Sequence, residues 1–360
     1  MKQSKVSYLI LTLAILLTTL PALSTNAAVT TNPTFELDPS NINSFNPSST
    51  GTVYDLVSNR SISGTNVGVT YSASDGGIFS SFSGAGSTGF YFAPAAVGHA
   101  TNPSASMTLE TWVKFTSWNA TWNIFATRWF DNLAGGQSSY DFHFAVKVNG
   151  SSRRLNLYTT NSNDNYGSQE IALNTWYLVA FTLNNTSQEL RFYVNGKQDG
   201  ATISGVSRTA NTANYLFVGD TRNNCSACSF NGQMARFRIW NSALSSSQML
   251  SNFRSEGAGF GYSTTTILTA ATFPNPNYRA SNLITATVSK PGKVTFYQQG
   301  VVIPGCKNRS AASTTATCSW KPSRRGKIAV TAALTPTDIG FVPSSGSIDF
   351  SVLNRSGSRT

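Results

Sequence analysis

Polar and apolar residues alternate over long stretches of this chain. In residues 107–115, MTLETWVKF, Met107, Leu109, Val113 and Phe115 share one side with Thr111, and Glu110, Trp112 and Lys114 share the other. A period of two predicts a strand. LRFYVNGKQ repeats it, with Leu190, Phe192 and Val194 set against Arg191 and Tyr193. That run ends on Asn195-Gly196, a hairpin signal because both turn positions need positive φ, and Asn149-Gly150 gives the same signal after FHFAVKV. In QMARFRIW, residues 233–240, Ala235, Phe237 and Ile239 fall on one side; Met234, Arg236, Arg238 and Trp240 fall on the other. WYLVAFTL, residues 176–183, is almost unbroken in its apolarity, which predicts a strand buried on both faces. Helix signals are scarce. Ser245-Ser246-Ser247-Gln248 fits a capping box, followed by an apolar face of Met249, Leu250 and Phe253. The pattern predicts an all-β antiparallel chain with one short helix.

Two segments stand outside this pattern. Lys2 and Lys5 precede the apolar run YLILTLAILL, residues 8–17, and then come Pro21 and the small residues Ser24, Thr25, Ala27 and Ala28. That order is expected of a secretory leader, cleaved after Ala27 or Ala28. The run is shorter than the roughly 20 apolar residues that span a bilayer, and no later segment reaches that length. The expected location is therefore secreted, extracellular or attached to a cell surface, without a transmembrane segment. The second segment, SEGAGFGYSTTT at 255–266, is rich in Gly, Ser and Thr and marks a boundary near residue 262. The expected division is a leader over 1–28, a large domain over 29–262 and a small domain with a short basic tail over 263–360.

Charge sharpens that division. The net charge is +11. Residues 29–262 balance 13 Lys and Arg against 13 Asp and Glu, whereas residues 263–360 set 11 Lys and Arg against Asp338 and Asp349. An excess of +9 on 98 residues attracts polyanions, which for an exported protein are wall polymers, lipid head groups or acidic polysaccharide before nucleic acid. The bland alternative is solubility. The four cysteines form two close pairs, Cys225/Cys228 and Cys306/Cys318. Each pair lies inside one expected domain, so two local disulfides are the simplest of three connectivities. A redox role for Cys225–Cys228 lacks the βαβ context it needs, and a zinc site lacks nearby histidines, since only His99 and His143 exist.

The combination of Met107–Phe115, Leu173–Ala180, LRFYVNGK at 190–197, and Phe230–Trp240 followed by Asn241–Ser245 resembles the laminin-G-like, concanavalin A-like domain of bacterial surface proteins. The opening LDPSNINSFNPSSTGTVYDLVSNR, residues 37–60, is similar to that family's usual start, and the resemblance covers about residues 34–254. It implies a jelly-roll sandwich of two antiparallel sheets. Residues 293–322, with RRGKIAVTAALTPTD after them, resemble bacterial immunoglobulin-like repeats over about residues 266–353. The first family often binds calcium. Asp55 and Asn59 match its Asp and Asn, while Ala235-Arg236 and Ser83-Gly84-Ala85 replace acidic residues that relatives carry there. Calcium at Asp55 and Asn59 is thus an open expectation, with no other cofactor.

The same fold hosts glycoside hydrolases, so catalysis has to be judged from residues. Retaining enzymes of this fold carry E-x-D-x-x-E on one strand, with working carboxylates about 5–5.5 Å apart. The five glutamates, Glu36, Glu110, Glu170, Glu189 and Glu256, are scattered, and Glu36-Leu37-Asp38 runs into Pro39. No G-x-S-x-G turn accompanies His99 or His143. Glu110, Arg236 and Arg238 read as a structural ion pair across neighbouring strands. A non-enzymatic binding protein is expected, carbohydrate-binding or adhesive, with glycans or cell-envelope polymers as partners. A structural or protein-binding surface component is the alternative. A sugar site needs aromatic faces with polar neighbours, which points to Trp118, Trp129, Phe130, Asp131 and Tyr140, with Arg222 at the rim. The bland reading of Trp122 and Trp129 is a place in the core.

Overall fold

The computed structural model of the protein describes residues 32–46, 51–72, 78–83, 88–129, 140–219 and 228–353. The expected leader, Phe130, Asp131, Arg222 and Cys225 lie outside these residues. Among the described residues no helix is long and apolar enough to cross a membrane.

Two antiparallel sheets dominate residues 35–240. The first runs Lys197–Gln198, Glu189–Val194, Tyr177–Asn184, Met107–Phe115, Asn231–Trp240, Ile78–Ser83 and Thr70–Ser72, with Phe35–Leu37 and Ile203–Ser204 pairing beside that path. The second runs Ser162–Tyr166, Ser152–Thr159, Tyr140–Asn149, Trp122–Trp129, Tyr215–Val218, Gly89–Phe92, Ser63–Val67 and Thr52–Tyr54. Strands distant in sequence are neighbours, as a jelly roll requires. The inward faces meet through aromatic rings at edge-to-face angles. Phe142 and Phe144 reach Phe181 at 5.9 and 5.0 Å, and Phe79 meets Phe90 at 4.7 Å. Phe125 lies 4.6 Å from Phe144 and 6.2 Å from Phe115. Such pairs add roughly 0.5–1.5 kcal/mol each beyond area burial.

The helix Ser246–Glu256 covers the outer face of the first sheet. Ser245 and Gln248 cap it reciprocally, as the sequence predicts, and Met249 and Phe253 are buried. This cover explains why Met107–Phe115 is buried on both faces although its sequence alternates: Trp112 stacks on Phe260 at 4.0 Å and packs on Phe253 at 5.8 Å. Ala180 and Leu178 lie under the same cover.

One predicted facing is corrected. Ala235 does not share a side with Phe237 and Ile239, because the register of Asn231–Trp240 shifts between Ala235 and Phe237. Arg236 is the extra residue, at φ 40°. A bulge of this kind flips every side chain on one side of it. Met234 therefore joins Phe237 and Ile239 in the core, while Ala235 faces the helix side. The hairpins also differ from each other. Asn195-Gly196 has φ 53° and 74°, the expected turn. At Asn149-Gly150, Asn149 stays paired with Ser152, so Gly150, at φ 60°, is the first loop residue, the position glycine takes in a type II′ turn.

A second sandwich follows. Thr266–Ala270, Asn282–Val288 and Thr315–Trp320 form a three-stranded sheet; Gly292–Gln298, Gly326–Pro336 and Ser344–Val352 lead a five-stranded one. Between them lies a core around Trp320, Phe296 and Phe350, stapled by the expected local disulfide Cys306–Cys318. The two sandwiches touch at the linker. The Tyr262 hydroxyl donates to the Trp176 carbonyl and accepts from Asn195 Nδ2, and Val342 N donates to the Tyr262 carbonyl.

Candidate functional site

The outward face of the second sheet carries the arrangement best suited to a ligand. Strand Tyr140–Asn149 buries Phe142, Phe144 and Val146 in the core, so alternation places His143, Ala145 and Lys147 on the opposite face. Cross-strand register extends this face. Tyr158 pairs with His143, Asn156 with Ala145 and Arg154 with Lys147. Tyr166 pairs with Asn156, Trp122 with Lys147, Thr127 with His143, Phe217 with Thr127 and Tyr91 with Phe217.

Lys147 is the centre of a compact cluster on this face. Its ammonium pairs with Asp164 and lies 4.1 Å from the centre of the Trp122 ring and 5.9 Å from that of Tyr166. The Tyr166 hydroxyl donates to the same Asp164 oxygen at 3.2 Å. Burial works against the charge on Lys147, but its hydrogen bonds with Asp164 and Tyr166 outweigh this and hold its pKa above the ordinary value. Two acceptors here lack donors: Asp164 Oδ1 and Asn156 Oδ1 are buried and unpartnered, while Asn156 Nδ2 donates to the Asn165 carbonyl at 3.1 Å. A buried acceptor without a donor is costly, and both atoms are closed to the surface as the cluster stands. The cluster thus joins two rings, one cation and one carboxylate at the surface.

His143 lies on the same face and is buried. Burial pushes its pKa down to about 3, against a weaker opposing pull from Asp164. Its folded value is below its unfolded one, so the unfolded chain binds the extra proton between the two. Stability should therefore fall as pH drops from about 6.5 towards 3, with a slope of up to about 1.4 kcal/mol per unit. Urea titrations across this range should show a shallower acid slope for His143→Gln than for the natural protein.

The residues expected from sequence are not brought together as one site. Trp118 packs its ring on Phe115 at 4.6 Å, against the core at one end of the sandwich. Trp129 pairs by backbone with Tyr140 and with Tyr215, so these two expected residues are cross-strand neighbours. Asp55 is fully buried, and its carboxylate accepts from the backbone N–H of Glu36 at 2.8 Å, Val57 at 3.2 Å and Ser58 at 2.8 Å. Those bonds form a turn in which Asn59 takes φ 49°. No group of three or more metal-ligating side chains occurs among the described residues. Cys228 is not a free thiol. Lys147, Asp164, Tyr166 and Asn156 escape a sequence reading because they come from three strands. The signal for one of them was present: FHFAVKV alternates, with a lysine among the outward positions.

The glutamates assemble elsewhere. Arg238 donates to Glu36 at 2.8 Å and to Glu110 at 2.9 Å, and it also pairs with Glu256. Arg236 bridges Asp38 at 3.3 Å and Glu256 at 2.5 Å. Asn252 donates to both oxygens of Glu110 at 3.0 Å, and Trp112 Nε1 donates to Glu256 at 2.8 Å. This is the expected structural pair, enlarged to four carboxylates and closed by the helix.

Residues 86–249 match the family model described as the concanavalin A-like lectin/glucanases superfamily. No curated protein sequence matches the chain significantly. Among solved structures, a Trypanosoma rangeli sialidase in complex with sialic acid is similar over 62% of this chain and 33% of its own, at 14% identity and TM-score 0.45. The chain thus spans about a third of that enzyme's length. Domain 4 of a Geobacillus stearothermophilus extracellular arabinanase, in complex with arabinotriose, aligns over 62% of this chain and 98% of its own, at 15% identity and TM-score 0.45. A Ruminococcus gnavus sialidase carbohydrate-binding module, bound to sialyllactose, aligns over 41% and 82%, at 16% identity and TM-score 0.34. Two antiparallel sheets in jelly-roll order and the match over residues 86–249 together identify that part of the chain as a concanavalin A-like domain.

Proposed function

We propose that this protein is an exported, non-catalytic glycan-binding protein, and that sugar binds on the outward face of the second sheet. The observation that carries this reading is the cluster of Trp122, Lys147, Asp164 and Tyr166 on that face, two rings around one ion pair. A pyranose presents one apolar C–H face and a rim of hydroxyls. The rings can take the first; Lys147 and the partly exposed carboxylate of Asp164 can take the second. The matching family contains both lectins and glucanases, so the carboxylates bear on catalysis. Glu110 is fully buried beneath Asn252, and Glu36 and Glu256 are committed to Arg238. Asp164, on the candidate face, is neutralised by Lys147. A glycosidase needs two carboxyl groups open to substrate. For the second sandwich we propose an immunoglobulin-like module.

A glycan array followed by calorimetry on the best ligand tests this. Asp164→Ala and Tyr166→Ala should each weaken binding about tenfold or more, the scale of one charged hydrogen bond or one stacked ring. New reducing ends released from that ligand would reject the non-catalytic reading. An array without any ligand would favour the structural, protein-binding alternative.

A further inference from the structure

The second sandwich has two unlike ends. The linker end faces the first sandwich: Asp338 pairs with Lys197, and the Phe341 ring lies 6.2 Å from Tyr262. The opposite end is built from the segment after Thr266–Ala270, the Lys321–Arg325 turn, the turn after Gly292–Gln298, and Leu353. Hydrogen bonds tie these pieces together. Arg279 N donates to the Pro322 carbonyl at 3.3 Å, Leu353 N to that of Pro276 at 2.9 Å, and Gln298 Nε2 to Ser323 Oγ at 2.7 Å.

This end gathers cations. Arg279, Lys321, Arg324 and Arg325 are all exposed. The guanidinium groups of Arg279 and Arg325 lie 5.1 and 5.2 Å from the centre of the Tyr278 ring. Residues 263–353 contain only two carboxylates, Asp338 and Asp349, and Asp338 is engaged by Lys197 at the other end. Large apolar side chains stand exposed on the same pieces: Phe273 at 52%, Val301 at 72% and Leu353 at 48%. A soluble polyanion would use the cations and leave these apolar groups in water. A bilayer surface uses both, taking cations at its anionic head groups and apolar side chains at the acyl boundary.

We propose that this end of the second sandwich docks on an anionic lipid bilayer, with Arg279, Lys321, Arg324 and Arg325 on lipid phosphates and Phe273, Val301 and Leu353 inserted beside them. The surface is separate from the glycan face and independent of that reading.

Vesicle co-sedimentation decides it, using the chain from Val29 onward so that the apolar leader cannot enter the bilayer. Equimolar phosphatidylcholine and phosphatidylglycerol should bind the protein, and phosphatidylcholine alone should not. The triple variant Arg279→Ala, Arg324→Ala, Arg325→Ala should lower partitioning on the order of 100-fold at physiological salt, about fivefold for each cation. Phe273→Ser with Val301→Ser should remove the binding that survives high salt, where head-group attraction is screened. These positions are exposed, and circular dichroism of each variant checks the fold. Equal binding to neutral vesicles, or a triple variant that binds like the natural protein, overturns the proposal. It also falls if soluble polyphosphate binds as tightly as the anionic vesicles and the Phe273/Val301 variant changes nothing.

Discussion

Replacing Arg238 with alanine should destabilise the protein by about 3–5 kcal/mol, the usual cost of removing one partner from a buried ionic network. Arg238 touches three carboxylates, and its loss leaves Glu36, Glu110 and Glu256 with Arg236 as the remaining cation of the network. Glu110 suffers most, being fully buried. Burial already raises its pKa, against the lowering effect of Arg238. Without that arginine the folded-state value rises further. A carboxyl group raised in the folded state binds its proton more tightly there than in the unfolded chain, so its contribution is lost as pH rises. The penalty of Arg238→Ala, taken as variant minus natural protein, should therefore be larger at about pH 8 than at about pH 5. The subtraction cancels the opposite acid slope of His143. Urea titration at both values measures it. A loss below about 1 kcal/mol at each pH, or a larger loss in acid, would contradict the network's role.

Asp141→Ala should cost a similar amount, about 3–5 kcal/mol, for the opposite reason: it leaves buried cations without an anion. One oxygen of Asp141 accepts from Arg128 Nε at 3.1 Å and from Arg208 Nη1 at 2.7 Å, and all three side chains are fully buried. Burial lowers the Arg128 pKa to about 10, with Asp141 opposing that shift. The two guanidinium groups also hold loops. Arg128 donates to the carbonyls of Thr101, Asn211 and Asn214, and Arg208 to those of Pro103 and Ser104. Hydrogen exchange in 101–106 and 207–214 should accelerate in the variant, while the second sandwich, with its own core, stays protected. Uniform loss of protection through both sandwiches would mean that they unfold as one unit.

These two networks show what a linear reading misses. Arg238 and Glu110 could be matched from neighbouring strands, but Asp141, Arg128 and Arg208 are 13 and 67 residues apart and carry no local signal. Three of the five scattered glutamates are brought around one arginine, Glu36 and Glu110 by strand pairing and Glu256 by the helix that follows. Assembly buries two of them: the helix Ser246–Glu256 closes over Glu110 through Asn252 and ends in Glu256.

What depends on neighbours in the chain was set by sequence alone. Alternation over 107–115 and 190–194, the Asn195-Gly196 turn, the Ser245 capping box and the Cys306–Cys318 staple all arise within a few residues or one short loop. The unbroken run at 176–183 also announced a strand covered on both faces. Tertiary structure decided the rest. A single bulge at Arg236 reassigned Met234 to the core and Ala235 to the helix side, since an extra residue inverts the facing of the residues before it relative to those after it. The candidate sugar face exists only once strands 122–129, 140–149, 152–159 and 162–166 are in register, which sets Trp122, Lys147, Asn156 and Tyr166 side by side. Register is a property of pairing between strands, and chain distance carries no record of it.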